Sequence, residues 1–88
     1  MQVSDVVEWM LKRLESDSCL YQDDVVDFLV KNNLHSYLKE NAHGNLVLKL
    51  SINSAFKKKT IDNVVWVKPD RYWRYRVKED EPGREALG

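Results

Sequence analysis

The side chains with the strongest nucleophilic and basic potential are a single cysteine, Cys19, and two histidines, His35 and His43. A cysteine attacks as its thiolate, and a neighbouring imidazole that accepts the thiol proton is the usual way to form one. Cys19, however, directly precedes a predicted helix, which is typical of a packed thiol. His43 precedes Gly44 in a turn-forming stretch, where a solvated side chain is expected. The pattern gives little support to covalent catalysis, and we expect that this protein is not an enzyme.

Patterns typical of metal and phosphate sites are missing from the sequence. One cysteine and two histidines do not make the Cys and His set of a structural zinc site. The three glycines are scattered at positions 44, 83 and 88, so they form no phosphate-binding loop. Asp23 and Asp24 are adjacent carboxylates, but the start of a helix accounts for them because its dipole favours negative charge. We therefore expect no metal and no cofactor.

Positive charge is concentrated near the C-terminus of a chain whose formal net charge is zero. Residues 1–47 hold four basic and eight acidic residues, which gives −4. Residues 48–78 hold nine basic and two acidic residues, which gives +7, and residues 79–88 hold one and four, which gives −3. Segregation of this kind creates a local field that attracts a polyanion if the cations point outward together. The alternative is that folding interleaves the segments and the charges pair across the surface.

Two amphipathic helices are predicted in the N-terminal half of the chain. In residues 4–16, with Ser4 as the N-cap, the apolar side chains recur at helical spacing. They are Val3, Val6, Val7, Met10, Leu11 and Leu14. Trp9 falls off this stripe, so we expect it either beneath the C-terminal hairpin or against a partner. Residues 22–33 form the second helix, whose wide apolar arc predicts packing on two sides and whose acidic outer side would repel phosphate.

A short hairpin and a third helix are predicted next. Residues 36–50 contain a turn signal around Gly44 between two short apolar runs, although an extension of the second helix would also fit. Residues 51–60 form the third helix, with Ser51 as its N-cap. The polar side chains that this helix offers to a partner are Asn53, Ser54, Lys57 and Lys58. Lysines in the last turn also suit the helix dipole, so they need not mark a contact surface.

Residues 63–78 predict a β-hairpin, because two β-favouring runs flank a turn containing Pro69 and Asp70. Along the second arm, alternation places Tyr72, Arg74 and Arg76 on a wet, basic face. The same alternation places Trp73, Tyr75 and Val77 on an apolar face. The acidic segment 79–88 has no periodicity and contains Pro82 and Gly83, so we expect a flexible tail.

This order of elements predicts a small α+β domain over residues 1–78, with three helices and a C-terminal antiparallel hairpin, similar to a winged-helix domain. In that fold the last helix enters the major groove and the hairpin grips the backbone. The residues that would then contact nucleic acid are Asn53, Ser54, Lys57, Lys58, Lys68, Arg71, Arg74 and Arg76. Two features count against this mapping. A hairpin between the second and third helices is not part of the basic pattern, and the third helix is short.

Two other interpretations stay open. The first is a protein-interaction module or homodimer that uses exposed aromatic side chains, with Trp9 and Tyr72 as the candidates. The second is a small-ligand pocket between the hairpin and the helices, lined by Trp66 and Trp73. Simple core packing of these two tryptophans is the competing explanation, since a hairpin must bury one face.

The size and composition set the general class of the protein. The chain has 88 residues, of which 43% are hydrophobic and 32% are charged, as expected for one globular domain. A lone cysteine favours a reducing compartment, and the N-terminal residues lack the pattern of a signal peptide. No stretch approaches the roughly 18 apolar residues of a membrane span. We therefore expect a cytoplasmic protein.

Several segments, read in order, resemble a family of small uncharacterised bacterial proteins, some of them carried on mobile, integron-type gene cassettes. The segments are VVEWMLKRLE, LYQDDVVDFL, HGNLVL, INSAFKK and VVWVKPDRYWRYR. The resemblance covers nearly the whole chain. It implies a bacterial cytoplasmic setting and a compact fold, and it carries over no catalytic residue and no known activity.

Overall fold

Three helices and six short strands make up the described part of the protein, which in this computed structural model is residues 1–77 and 85–86. The elements are α1 (Val3–Asp17), β1 (Cys19–Tyr21), α2 (Gln22–Lys31), β2 (Leu38–Glu40), β3 (Leu46–Leu48), α3 (Leu50–Thr60), β4 (Val64–Val67), β5 (Tyr72–Tyr75) and β6 (Glu85–Ala86). A 3₁₀ turn at His35–Tyr37 leads into β2. The predicted α+β fold with three helices and a C-terminal hairpin is confirmed.

The strands form two sheets. In the larger sheet the order is β1-β5-β4-β6, with β1 and β4 antiparallel to β5 and with β6 parallel to β4. Strands β2 and β3 form a separate antiparallel pair. The strand between α1 and α2 therefore pairs with the second arm of the C-terminal hairpin, which links the N-terminal half of the chain to the hairpin.

The register of the larger sheet defines its two faces, because directly opposed residues point to the same side. Leu20, Trp73 and Trp66 lie opposite one another, and with Val64 they form what we call the core face. The outer face carries the alternate positions, which are Cys19, Tyr21, Val65, Val67, Tyr72 and Arg74. This division decides which basic residues of the hairpin can share a surface with α3.

The hydrophobic core lies between α1, α2, α3 and the core face. Phe56 of α3 is fully buried, and its ring meets Trp73 edge-on at 5.1 Å between ring centroids. The apolar stripe of α1 is confirmed, since its residues either are buried or pack against the core. Trp66 and Trp73 lie 4.7 Å apart between ring centroids, so these two rings pack together in the domain. Core packing, and not a ligand pocket, accounts for both tryptophans.

Two predicted N-caps are wrong by two residues. Helix α1 begins at Val3 with Gln2 as its N-cap, and the Gln2 N–H donates a 2.8 Å hydrogen bond to the Asp5 carboxylate. Helix α3 begins at Leu50 with Lys49 as its N-cap. The Lys49 N–H donates to the carbonyl oxygen of Tyr37 at 2.9 Å, which holds Lys49 in the extended backbone that a cap requires.

The β2–β3 hairpin confirms the predicted turn between α2 and α3. The side-chain oxygen of Asn41 accepts hydrogen bonds from the backbone N–H groups of His43 and Asn45, at 2.9 and 3.0 Å. Gly44 has a φ of +78°, a conformation that glycine adopts without steric cost. The turn residues therefore decide between the two predicted structures of this segment, and α2 ends at Lys31.

Strand β1 and strand β6 were not predicted. Strand β1 has three residues and forms by pairing with β5, a long-range contact that no local sequence pattern predicts. Strand β6 has two residues and falls within the segment predicted to be a flexible tail. The rest of that tail, and Lys78, lie outside the described residues. None of the described helices is both long and apolar enough to cross a bilayer.

Candidate nucleic-acid interface

The outer side of α3 presents three of its four predicted contact residues to solvent. Burial of Ile52 and Phe56, four residues apart, turns the opposite side of the helix to solvent. Ser54, Lys57 and Lys58 are exposed there, as predicted, while Asn53 is half-buried at the edge. This helix therefore presents two lysines and a hydroxyl on a single accessible side.

The tip of the C-terminal hairpin, residues 68–71, is exposed and firmly attached. The Arg71 N–H donates to the Lys68 carbonyl at 3.3 Å, which closes the turn. The Arg71 carbonyl accepts a 2.9 Å hydrogen bond from the Gln22 N–H at the start of α2. Lys68 and Arg71 are therefore held in place by the backbone, and both side chains are exposed.

Arg74 and Arg76 occupy a different environment from the one predicted. Both are half-buried, so the predicted wet face is partly covered. The Arg74 Nη1 donates to the Tyr75 carbonyl at 3.1 Å, and the Arg76 N–H donates to the Asn63 carbonyl at 2.7 Å. On the same outer face, Val65 is fully buried.

The predicted apolar face also differs at its far end. Trp73 is buried as expected, but Tyr75 is 41% and Val77 is 50% exposed. These two residues lie beside an open groove of about 470 Å³ that Asp62 and Asn63 also line. The core face is covered where Phe56 meets Trp73, and Tyr75 lies at the end of the strand ladder.

The eight predicted contact residues do not form one continuous surface. Helix α3 packs on the core face through Phe56 and Trp73. Arg74 alternates with Trp73 and so projects from the outer face, on the other side of the sheet. Sequence alternation alone could not show this, because it does not say which face the helix covers.

Within residues 1–77, each ion pair formed by the first two helices joins two residues of the same helix. In the described residues, ion pairs join Arg13 to Asp17 within α1 and Lys31 to Asp27 within α2, at 3.3 and 2.9 Å. Among these same residues, no ion pair joins Lys57, Lys58, Lys68 or Arg71 to a carboxylate. In the described residues, the exposed cations of α3 and the tip therefore form no direct ion pair with the acidic N-terminal half.

One groove brings acidic groups near the tip. Arg71 lines a cleft of about 500 Å³ together with Asp23 and Asp27 of α2 and with residues of the β2–β3 loop. The carboxylates of Asp23 and Asp27 oppose the approach of phosphate from this side. The acidic face of α2, predicted to repel phosphate, therefore borders the basic tip, and Arg71 is a weaker phosphate contact than the lysines of α3.

The two aromatic candidates for partner binding, Trp9 and Tyr72, are both half-buried and lie in different places in the fold. Trp9 is half-buried and stacks on Phe28 of α2, with ring centroids 4.0 Å apart and planes 13° from parallel. The sequence predicted that Trp9 lies either beneath the C-terminal hairpin or against a partner, and the contact with α2 that covers one face of its ring was not predicted. The Arg13 guanidinium lies 5.9 Å from the Trp9 ring centroid on its own helix. Tyr72, by contrast, lies on the outer face beside Tyr21.

An apolar groove between α1 and α3 was not predicted. Its volume is about 390 Å³, and it is lined by Val3, Val7, Leu11 and Ala55 together with the polar residues Ser4, Glu8 and Lys59. The stripe of α1 gave a signal for it, since Val3 and Leu11 sit at the edges of that stripe and are only half-buried. Within the described residues, no three histidine, cysteine, aspartate or glutamate side chains come together in a group that could hold a metal ion.

A known protein family matches most of the chain. A family model matches residues 2–75, which spans every element from α1 to β5. The chain belongs to DUF6953, a family of unknown function. The DUF6953 match includes all of the candidate contact residues except Arg76. No curated protein and no solved structure matches the chain.

The backbone of Arg71 leads to a prediction about stability. Arg71 has a φ of 54°, in the left-handed region that asparagine tolerates better than most residues and that β-branched residues avoid. We expect Arg71→Asn to leave the free energy of unfolding unchanged within about 0.5 kcal/mol. We expect Arg71→Val to lower it by at least about 1 kcal/mol. Urea unfolding followed by tryptophan fluorescence measures the free energy of unfolding of both variants. Equal values would contradict the idea that the left-handed backbone at residue 71 limits which side chains it tolerates.

Proposed function

We propose that this domain is a non-enzymatic binding module for nucleic acid, which it contacts through the outer side of α3 and the hairpin tip. The observation that carries the proposal is the exposure of Lys57, Lys58, Lys68 and Arg71 without a carboxylate partner among the described residues. Lysine and arginine side chains bind phosphate, and such contacts supply most of the affinity of non-specific binding.

The attachment of the hairpin to the helices supports a winged-helix-like arrangement. The Phe56–Trp73 contact joins α3 to the hairpin, and the Gln22–Arg71 hydrogen bond joins the tip to α2. A helix and a tip that are fixed relative to each other can contact neighbouring parts of one nucleic acid without an ordering cost. The β2–β3 hairpin separates α2 from α3, which departs from the basic winged-helix pattern.

The test is the affinity and salt dependence of binding to a short labelled DNA duplex, measured by fluorescence anisotropy. We expect a dissociation constant on the order of 1–100 µM near physiological salt. The Lys68→Ala/Arg71→Asn double variant should bind several-fold more weakly and with a shallower log–log salt slope. This change removes the positive charge of the tip, and asparagine tolerates the left-handed backbone conformation of residue 71.

The matched control removes two positive charges elsewhere. Lys12 of α1 and Lys39 of β2 are both exposed, and neither is among the predicted contact residues. The Lys12→Ala/Lys39→Ala variant has the same net charge as the tip variant, so it should lose less affinity if the site is local. Failure of the unmodified protein to bind duplex at low salt would reject the proposal. Equal losses in the two variants would reject the tip as a contact.

The alternative function is self-association or protein binding through exposed aromatic side chains. Tyr72 keeps this role as a candidate, whereas the stacking of Trp9 on Phe28 leaves less of Trp9 for a partner. The apolar groove between α1 and α3 is the feature that favours a protein partner. Bacterial origin, carriage on mobile gene cassettes and a cytoplasmic location stay predictions from the sequence.

A further inference from the structure

Two tyrosines form an aromatic pair on the outer face of the larger sheet. Tyr21 of β1 and Tyr72 of β5 are directly opposed, with ring centroids 5.0 Å apart and planes inclined by 33°. Tyr21 is 44% exposed and Tyr72 is half-buried. Within residues 1–77, neither ring belongs to the hydrophobic cluster that the core face shares with the helices.

The surroundings of this pair contain basic residues on two sides, and the carboxylates of Asp23 and Asp27 share a cleft with one of them, Arg71. Arg71 directly precedes Tyr72, and its carbonyl accepts the N–H of Gln22, which directly follows Tyr21. Arg71 and Lys68 are exposed at the tip. Arg74 lies on the same face as Tyr72, two residues further along β5. Cations and the tyrosine pair therefore occur together on one hydrogen-bonded ladder.

We propose that the Tyr21–Tyr72 pair is a stacking surface for unpaired bases, so that the preferred ligand is single-stranded nucleic acid. This inference rests on the proposed function and names its substrate class. Single-strand binding proteins combine a positive surface for the backbone with aromatic rings on which bases stack. The parts that such a ligand needs are the positive charge at the tip, the exposed ring of Tyr21 and the half-buried ring of Tyr72.

Single strands fit this surface better than duplex does. In a duplex each base is already stacked on its neighbours, so its face reaches a protein ring only after unstacking, which costs free energy. Bases in a single strand offer their faces without that cost. Loss of one base–aromatic stack lowers affinity by roughly 5- to 150-fold. The outer face also lies opposite α3 across the sheet, so this surface is distinct from the helix surface.

The experiment compares one oligonucleotide as a single strand and as a duplex of the same sequence, by fluorescence anisotropy at low salt. The variants are Tyr21→Leu/Tyr72→Leu, which removes both rings, and Tyr21→Phe/Tyr72→Phe, which keeps them without the hydroxyls. Tyr75→Leu is the matched control, because Tyr75 is 41% exposed but lies on the core face. Circular dichroism checks the folding of every variant, and the single Tyr21→Leu variant replaces the double one if the latter unfolds.

The expected result is tighter binding of the single strand than of the duplex by the unmodified protein. The leucine variants should lose at least about fivefold in single-strand affinity with little change in duplex affinity, while the phenylalanine and Tyr75→Leu variants stay near the original. Unchanged single-strand affinity in the leucine variants overturns the inference and leaves the proposed function standing if duplex still binds. Absence of binding to either oligonucleotide rejects both. If light scattering shows that the unmodified protein is a dimer and that the leucine variant is a monomer, the inference is overturned in favour of a protein contact.

Discussion

Replacing Phe56 by alanine will lower the free energy of unfolding by about 3–5 kcal/mol, the usual cost of removing a buried phenylalanine ring. Phe56 is fully buried and contacts Trp73 edge-on, so its removal leaves a cavity between α3 and the core face. Domains of this size are stabilised by only about 5–15 kcal/mol in total, often at the low end. The loss is therefore large enough to populate the unfolded state at moderate temperature.

Urea unfolding monitored by tryptophan fluorescence gives the measurement, since Trp66 and Trp73 lie beside the altered position. Leu50→Ala is the matched control, because Leu50 is an apolar residue of the same helix and is 74% exposed. That control should change the stability by no more than about 0.5 kcal/mol. A loss below about 1 kcal/mol for Phe56→Ala would mean that α3 does not depend on its contact with the sheet.

The Lys57→Ala/Lys58→Ala variant is expected to show the largest loss of duplex affinity. Each phosphate contact contributes about −0.9 to the log–log salt slope. If this electrostatic contribution vanishes at 1 M salt, the loss of two phosphate contacts lowers the affinity roughly 60-fold at 0.1 M salt. Both lysines are exposed on the outer side of α3, and the described structure shows no carboxylate paired with either.

This lysine effect should exceed that of the tip. Arg71 shares its cleft with Asp23 and Asp27, whose negative charge offsets part of its attraction for phosphate. The measurement is anisotropy across a salt series, with the Lys12→Ala/Lys39→Ala variant as the charge-matched control. The helix variant should also have a salt slope smaller by about 1.8. A salt slope equal to that of the control variant would show that Lys57 and Lys58 do not contact phosphate and only stabilise the end of the helix through its dipole.

Local patterns predicted most of the elements. The apolar stripe of α1, the turn around Gly44 and the β-favouring runs on either side of Pro69 each identify an element through side-chain period or turn chemistry. The same patterns missed β1, because three residues carry no readable period and the strand depends on β5, about fifty positions away. They also misplaced the N-caps of α1 and α3, where hydrogen bonds from Gln2 to Asp5 and from Lys49 to Tyr37 decided the helix start.

The candidate site was predicted residue by residue but not as a surface. The exposure of Lys57 and Lys58 followed from the helical period once Ile52 and Phe56 were assigned to the core. The separation of Arg74 from α3 did not follow, because alternation along β5 gives two faces without saying which one the helix covers. The Tyr21–Tyr72 pair was missed for the same reason that β1 was missed, since the two rings meet through strand pairing.

The helices, the C-terminal hairpin and the concentration of positive charge in residues 48–78 follow from local period, propensity and composition, so they could be predicted from the residues. The stacking of Trp9 on Phe28, the approach of Asp23 and Asp27 to the basic tip and the pairing of the two tyrosines could be seen only after folding. Each of these outcomes is a contact between distant segments. Their geometry is set by how α2 and the sheet pack together, which no short window of residues contains.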